Sequence, residues 1–294
     1  NSVRLTLEAA VTDVSSDLLR AEVIIVSPDG TRSTMSTMIT TRIFALDCLI
    51  ANPYLWNVRG YGKPNLYMVT LVLFDGDEPV DRHEFNIGLR TIEVCREPDA
   101  EGEEFCFKVN GIKIFAMGAN YIPEDQILDR TSAERTKELL KSCAAANYNM
   151  IRVWGGGIYP DDYFYDLCDK LGLLVWQDMM FACSVYNASD MAFCSTVRYE
   201  LIDNIRRIRN HACLGMWCGN NEIESAWQYW GLPDDEELKA GYLRMFEVLA
   251  PKVVEQYDPN TFYWPSSPSS GGGFKDSGAR NKGDIHYWDV WHNF

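Results

Sequence analysis

Residues 131–176 read TSAERTKELLKSCAAANYNMIRVWGGGIYPDDYFYDLCDKLGLLVW, and the order of elements in this stretch decides the fold. Residues 131–147 carry helical periodicity behind a Thr-x-x-Glu capping box at Thr131 and Glu134. Met150–Trp154 is a short apolar run that reads as a strand, Asp161–Leu171 as a helix stopped by Gly172, and Leu173–Trp176 as the next strand. Helix, strand, helix, strand is the rhythm of repeated βα units around a parallel sheet.

The rhythm continues in both directions. Ile114–Ala119 reads as a preceding strand. Thr196–Asn210 reads as a helix, Leu214–Trp217 as a strand, Asp235–Gln256 as a helix, and Thr261–Trp264 and Asp284–Trp288 as two further strands. No dinucleotide or phosphate fingerprint follows the first strand, so the pattern predicts a (β/α)8 barrel rather than a doubly wound sheet. Six strands fit between residues 104 and 294, whereas a complete barrel takes about 250 residues. The barrel is therefore expected to be incomplete, two strands short, and its open strand edges predict self-association.

Upstream the period changes from 3.6 to two. Val3–Val11 alternates apolar and polar residues, and Ala21–Val26, Leu66–Phe74 and Glu84–Val94 are similar runs separated by turn signals. Residues 1–98 thus predict an immunoglobulin-like antiparallel β-sandwich. The polar stretch Glu97–Glu103 is the expected boundary, and Asn110-Gly111 marks a hairpin just beyond it.

Composition narrows the classes of function. Of 294 residues, 47% are hydrophobic and 23% charged, the profile of a globular chain with a substantial core. No apolar run approaches the ~18 residues that would span a bilayer, so no membrane partner is expected. The formal net charge of −15 repels phosphate backbones, which disfavours nucleic acid as a partner. Nine Cys, an odd number with no CxxC, read as reduced thiols in a reducing, cytoplasmic compartment, against which stands one Asn187-Ala188-Ser189 sequon. His286 and His292 fit no zinc spacing, so no metal or cofactor is expected. No Gly-x-Ser-x-Gly supports a serine hydrolase.

In such a barrel the chemistry collects where strands end. After successive strands come Asn120; Arg152 and Trp154; Asp178; Asn220-Asn221-Glu222; Trp264; and His286 with Trp288. Trp faces stack on sugar rings while interleaved polar groups bond hydroxyls, so a carbohydrate site is the natural reading. Glu222, directly after a buried strand, is placed to protonate a glycosidic oxygen if burial raises its pKa. The plainer alternative is a first-turn Glu favoured by the helix dipole. Trp176 and Trp217 divide evenly between packing and substrate contact. Ser266–Gly273 (SSPSSGGG) reads as a mobile loop at the mouth of the site.

Several motifs, in order, carry a family resemblance. Trp217-Cys218-Gly219-Asn220-Asn221-Glu222, Arg152-Val153-Trp154-Gly155-Gly156-Gly157-Ile158-Tyr159, Trp176-Gln177-Asp178 and Gly283–His292 resemble glycoside hydrolase family 2, its β-mannosidases in particular. Pro53-Tyr54-Leu55-Trp56, Pro64-Asn65-Leu66-Tyr67 and Phe85–Ile92 are similar to the family's central sandwich domain. The resemblance implies a retaining exo-β-mannosidase without cofactor, acting on β-mannoside oligosaccharides or glycoprotein-derived glycans. Glu222 would be the general acid/base, Asn221 the partner of the sugar 2-hydroxyl and Arg152 the support of the nucleophile carboxylate. Trp154, Asp178, Trp230, Trp264, His286 and Trp288 would line the sugar sites. Within the family, an exo-β-glucosaminidase or an endo-β-mannosidase is the alternative, and outside it a non-catalytic sugar-binding subunit. The family's nucleophile is a second Glu past the His286–His292 motif. No Glu follows Glu255 in this sequence, so the nucleophile is expected beyond Phe294 and this stretch alone is expected to be inactive.

Overall fold

The computed structural model describes residues 2–12, 14 and 16–292, with the side chain of His292 outside that description. Contacts divide the chain into two units, Asn1–Asn57 with Gly62–Arg90 and Val58–Tyr61 with Thr91–Phe294.

The first unit is an antiparallel sandwich. Strands β1 (Ser2–Ala10) and β4 (Ile43–Ala51) form one sheet. The other has the order β3 (Arg32–Met38), β2 (Leu19–Val26), β5 (Tyr67–Asp75), β6 (Glu78–Ile87). Burial alternates strictly along β2, which turns Leu19, Ala21, Val23 and Ile25 inward. Val3, Leu5 and Leu7 of β1 and Leu46, Cys48 and Ile50 of β4 pack on the core of Val23, Ile25, Tyr67, Val69 and Leu89. Each such side chain contributes roughly 1.5–3 kcal/mol when fully buried. The sequence reading misses β3 and β4. β3 (RSTMSTM) is largely exposed and rich in Ser and Thr. β4 carries Asp47, whose carboxylate accepts from Thr6 Oγ1 across the pair at 2.6 Å.

The boundary lies earlier than Glu97–Glu103. Strand β7 (Ile92–Cys95) pairs with β8 (Cys106–Val109), which pairs with β9 (Ile112–Ile114), so this small sheet belongs wholly to the second unit. The polar stretch is a turn within it, where Asp99 Oδ1 accepts from the backbone N–H of Glu101 and of Gly102. Asn110 (φ 50°) and Gly111 (φ 81°) form the β8–β9 turn with two consecutive positive φ angles, as the Asn-Gly signal requires.

The second unit is a partial α/β barrel. Five parallel strands follow in sequence order: β10 (Gly118–Tyr121), β11 (Met150–Val153), β12 (Leu174–Asp178), β13 (Leu214–Cys218) and β14 (Phe262–Trp264). Helix α1 (Ala133–Ala145) connects β10 to β11, α2 (Asp162–Leu171) connects β11 to β12, and α3 (Met191–Ile208) connects β12 to β13. Before β14 come α4 (Ile223–Tyr229), which the periodicity does not predict, then α5 (Glu236–Leu243), a wider-turn segment Arg244–Leu249, and α6 (Ala250–Tyr257). The capping residue of α1 is Ser132, which accepts from Arg135 N; Thr131 instead donates to Leu128 O, so the cap sits one residue later than the box predicts. Every residue of β12 and β13 is buried, as expected for a parallel sheet covered on both faces.

The sixth predicted strand does not form. Asp284 makes one antiparallel bridge to Ser269, and residues 285–288 are irregular. The cause is local: the Asp284 carboxylate is captured by Trp264 Nε1 (2.7 Å), Ser267 Oγ (2.6 Å) and Ser269 N (3.0 Å), which folds the segment back over the loop after β14.

Candidate active site

Register aligns the polar strand ends. Asn120 lies opposite Arg152, Arg152 opposite Trp176, and Asp178 opposite Cys218, which faces Trp264. The ladder continues past β13, because Asn221 bridges Ala182 on one side and Ser267 on the other.

Arg152 organises this layer. Its guanidinium binds Asp178 in bidentate fashion (Nε–Oδ1 3.2 Å, Nη2–Oδ2 2.8 Å), and Nη2 also donates to Asn221 Oδ1 at 2.9 Å. Asp178 is fully buried and accepts two further bonds, from Gly155 N and Trp176 Nε1. Burial pushes its carboxyl up, while Arg152 and these donors hold it down. Asp178 is therefore placed to fix Arg152 rather than to line a sugar site. Gly155 makes this possible: a Cβ there would strike the carbonyl oxygens of Phe181 at 2.5 Å and Met179 at 2.7 Å. The neighbouring Gly156 is covered by the Trp154 ring, with no room for a side chain.

An arginine can only donate, so the amide oxygen of Asn221 must face Arg152 and its NH2 must face away. That NH2 reaches Glu222 Oε2 at 3.2 Å and Cys183 Sγ at 3.3 Å. Asn220 does different work. Fully buried, it accepts from Ile223 N and Ser266 Oγ, capping α4 and holding the loop after β14.

Glu222 has a left-handed backbone (φ 63°, ψ 12°) at the N-cap of α4 and makes no side-chain cap bond. The helix-end position of the plainer reading is thus observed, but without a side-chain cap bond. Its carboxyl is used elsewhere: Oε1 lies 2.6 Å from His286 Nδ1, and Oε2 accepts from Asn221 and, at 3.6 Å, from Cys183 Sγ. A left-handed non-glycine residue costs on the order of 1–3 kcal/mol, the kind of strain kept at functional sites. Burial pushes the carboxyl up, but the bond from His286 and its charge, with Cys183 and Asn221, outweigh burial and hold it below the usual carboxylate range. The expected upward shift is thus reversed, because an imidazole stands against the acid.

The remaining predicted residues separate. His286 bonds Glu222 and Ser267 instead of lying open as a sugar contact. Trp264 is 1% exposed, its Nε1 on Asp284 and its ring on Phe105 and Arg96, so it is packing. Trp176 and Trp217 resolve the same way, with Trp217 Nε1 donating to buried Asp258 at 2.8 Å. Trp154 is half-buried at the end of β11. Trp230 and Trp288 are each 52% exposed, with Trp230 at the far end of the seven-residue helix α4 from Glu222, about 12 Å along the axis.

Four residues escape the sequence reading: Cys183, Ser267, Ser269 and Glu224. The Ser-rich loop is not mobile linker; Ser266, Ser267, Ser269 and Ser270 are all buried. Glu224, on the first turn of α4 and 0% exposed, accepts from Ser269 Oγ at 2.6 Å and from Phe274 N at 3.3 Å. Burial pushes its carboxyl up to about 7. The available signal was a second Glu two residues after the first, facing a run of hydroxyls. Among the described residues two groups present three metal-ligating atoms, Cys95/Glu104/Cys106 and Asp166/Asp169/His211. Lys113 takes both oxygens of Glu104, and Asp169 accepts from Cys213 N and pairs with His211 Nδ1 at 2.8 Å. Neither group includes a residue of the strand-end cluster.

The chain is similar to known proteins in sequence and in fold. Residues 1–90 match the family described as Glycosyl hydrolases family 2. Beta-mannosidase B of Aspergillus fumigatus is 40% identical over 252 residues, covering 83% of this chain and 30% of the relative. Beta-mannosidase B of Aspergillus niger is 39% identical over the same shares. This chain thus spans about a third of the length of these curated relatives. Among solved structures, a β-D-mannosidase from Dictyoglomus thermophilum superposes with a TM-score of 0.86 and 37% identity, over 100% of this chain and 36% of that one. A β-glucuronidase from Bacteroides uniformis, 20% identical over 89% of this chain and 30% of its own, shares the fold with a TM-score of 0.72. The chain thus carries a glycoside hydrolase family 2 domain in residues 1–90 and is similar, over 83% of its length, to β-mannosidases.

Proposed function

We propose that the chain supplies the sandwich and the acid/base half of the catalytic barrel of a retaining exo-β-mannosidase, which removes terminal non-reducing β-D-mannose. The observation that carries this reading is the carboxyl of Glu222 at the end of β13, aligned by Asn221, itself oriented by Arg152. The β-mannosidase relatives support the choice of sugar.

In this reading Glu222 protonates the glycosidic oxygen as the bond breaks, and its carboxylate then takes a proton from the attacking water. The Asn221 NH2 that faces Glu222 also serves the sugar 2-hydroxyl, and exposed Trp230 and Trp288 offer ring faces to the glycan. Retention requires a second carboxylate about 5–5.5 Å from the first. The side-chain hydrogen-bond partners of Glu222 are His286, Asn221 and Cys183, none of them a carboxylate. A reducing compartment suits nine unpaired thiols. No described helix is long and apolar enough to cross a membrane.

The test is substrate profiling of the intact protein with aryl β-mannoside, β-glucoside and β-glucosaminide. Turnover should be greatest on the β-mannoside. Preference for the β-glucosaminide would replace this reading with an exo-β-glucosaminidase, and cleavage only of internal linkages with an endo-β-mannosidase. Binding without turnover of any of the three would leave a sugar-binding subunit.

A further inference from the structure

Behind Glu222 runs an unbroken line of hydrogen bonds into the protein. Glu222 Oε1 meets His286 Nδ1 at 2.6 Å, His286 Nε2 meets Ser267 Oγ at 3.1 Å, and Ser267 Oγ meets Asp284 Oδ2 at 2.6 Å. The direction of each bond follows from the ends. Asp284 Oδ1 faces Trp264 Nε1 and Ser269 N, groups that can only donate, so this oxygen is an acceptor. Burial pushes the Asp284 carboxyl up, while the bonds from Ser267 and Trp264 and the charges of His286 and Arg152 oppose it, and the 2.6 Å contact at Oδ2 has the length of an O–H···O⁻ bond. Ser267 therefore spends its single hydrogen on Asp284, and its oxygen must accept from His286 Nε2–H. At the other end, Nδ1 lies 2.6 Å from Oε1 of a carboxyl that His286, Cys183 and Asn221 hold down, and an ionised carboxylate can only accept, so Nδ1 donates. Both ring nitrogens are then protonated, with a carboxylate at each end of the line.

We propose that His286 is the resting store of the proton that Glu222 uses, and that Asp284 and Ser267 are positioning residues that retain the Nε2 proton so that only the Nδ1 proton passes on. In the step, the Nδ1–H bond breaks with its electron pair returning to the imidazole, and an O–H bond forms at Glu222 Oε1. His286 becomes neutral with Nε2–H still donated to Ser267, and Glu222 becomes the neutral acid that protonates the leaving oxygen. The proton later taken from water by Glu222 refills Nδ1, so the cycle balances. This arrangement accounts for an acid that stands ionised at rest. The other charged and titratable groups around the line are Cys183 beside Glu222, and Arg152, Glu224 and Cys218 around Asp284.

The proposal rests on Glu222 being the acid/base, but its test needs no turnover. In the full chain labelled with 15N, long-range 1H–15N correlation reads the protonation of each ring nitrogen, and His286→Gln identifies the His286 signals. At neutral pH both nitrogens of His286 should be protonated. In Asp284→Asn the amide oxygen must still face Trp264 and Ser269, which turns its NH2 toward Ser267. Ser267 must then donate to Nε2, so Nε2 should lose its proton and His286 should become the neutral Nδ1–H form. Ser267→Ala, which removes the partner of Nε2 without adding a donor, should also leave the neutral Nδ1–H form, because the Glu222 carboxylate still takes that hydrogen. A neutral His286 in the unmodified chain overturns the proposal, and so does a protonated Nε2 in Asp284→Asn. If the nitrogens behave as described while no glycoside is turned over, the proton store stands and the functional reading falls.

Discussion

The two units solve the burial of a sheet in opposite ways. In the sandwich the clearest strands show one face to the core and one to water, so β2 alternates residue by residue and β1 alternates between exposed and half-buried positions. In the barrel portion β12 and β13 are buried on both faces along their whole length. Polar groups are thereby concentrated toward the C-terminal ends of the strands, where Arg152, Asp178, Asn221 and Glu222 meet. The sandwich spreads its polar residues and holds no comparable cluster among the described residues. A doubly covered sheet leaves its strand ends as the place where charge can be kept.

The largest effect that sharpens this contrast is at Glu222. In the intact protein, Glu222→Gln should slow aryl β-mannosides with poor leaving groups by about 10²–10⁴-fold and activated ones far less, because only the former need the proton. Equal losses across a leaving-group series would argue against an acid. Next comes Arg152→Ala, which leaves Asp178 charged, buried and unpaired and should cost about 3–5 kcal/mol in denaturant unfolding. If unfolding is unchanged, the strand-end layer is not the cohesive unit described. In the sandwich, Ile25→Ala should cost about 2–5 kcal/mol. Glu224 gives a smaller, pH-dependent effect. Its carboxyl is raised from 4.5 to about 7 in the fold, so folding favours its protonated form. Its stabilising contribution is complete below about 4.5 and is lost as pH rises through about 7. The change is on the order of 1–3 kcal/mol. Glu224→Gln should flatten that dependence, read as denaturant midpoints on either side of the window. Smallest is Leu49→Ala on the outer face of β4, 70% exposed, expected within about 0.5 kcal/mol.

Legibility in the sequence followed the same division. The βα rhythm and the strand-end residues could be read because period and burial coincide there. What failed was the segment from Pro265 to Trp288. Ser and Gly are the composition of a linker, and nothing local announces that a buried Glu224 and Asp284 will bond those hydroxyls one by one. The same capture of Asp284 cancels a strand that Ile285, Tyr287 and their neighbours suggest by composition alone. Direction of a pKa was equally hidden: burial of Glu222 was legible, but the imidazole against it comes from 64 positions away.

The left-handed backbone of Glu222 has a consequence for how this position can vary. A glycine adopts φ 63° without strain, so Glu222→Gly removes the conformational cost together with the carboxyl. The position therefore sets backbone strain against the bonds that His286, Asn221 and Cys183 make to the carboxyl, and a glycine would relieve the first only by giving up the second.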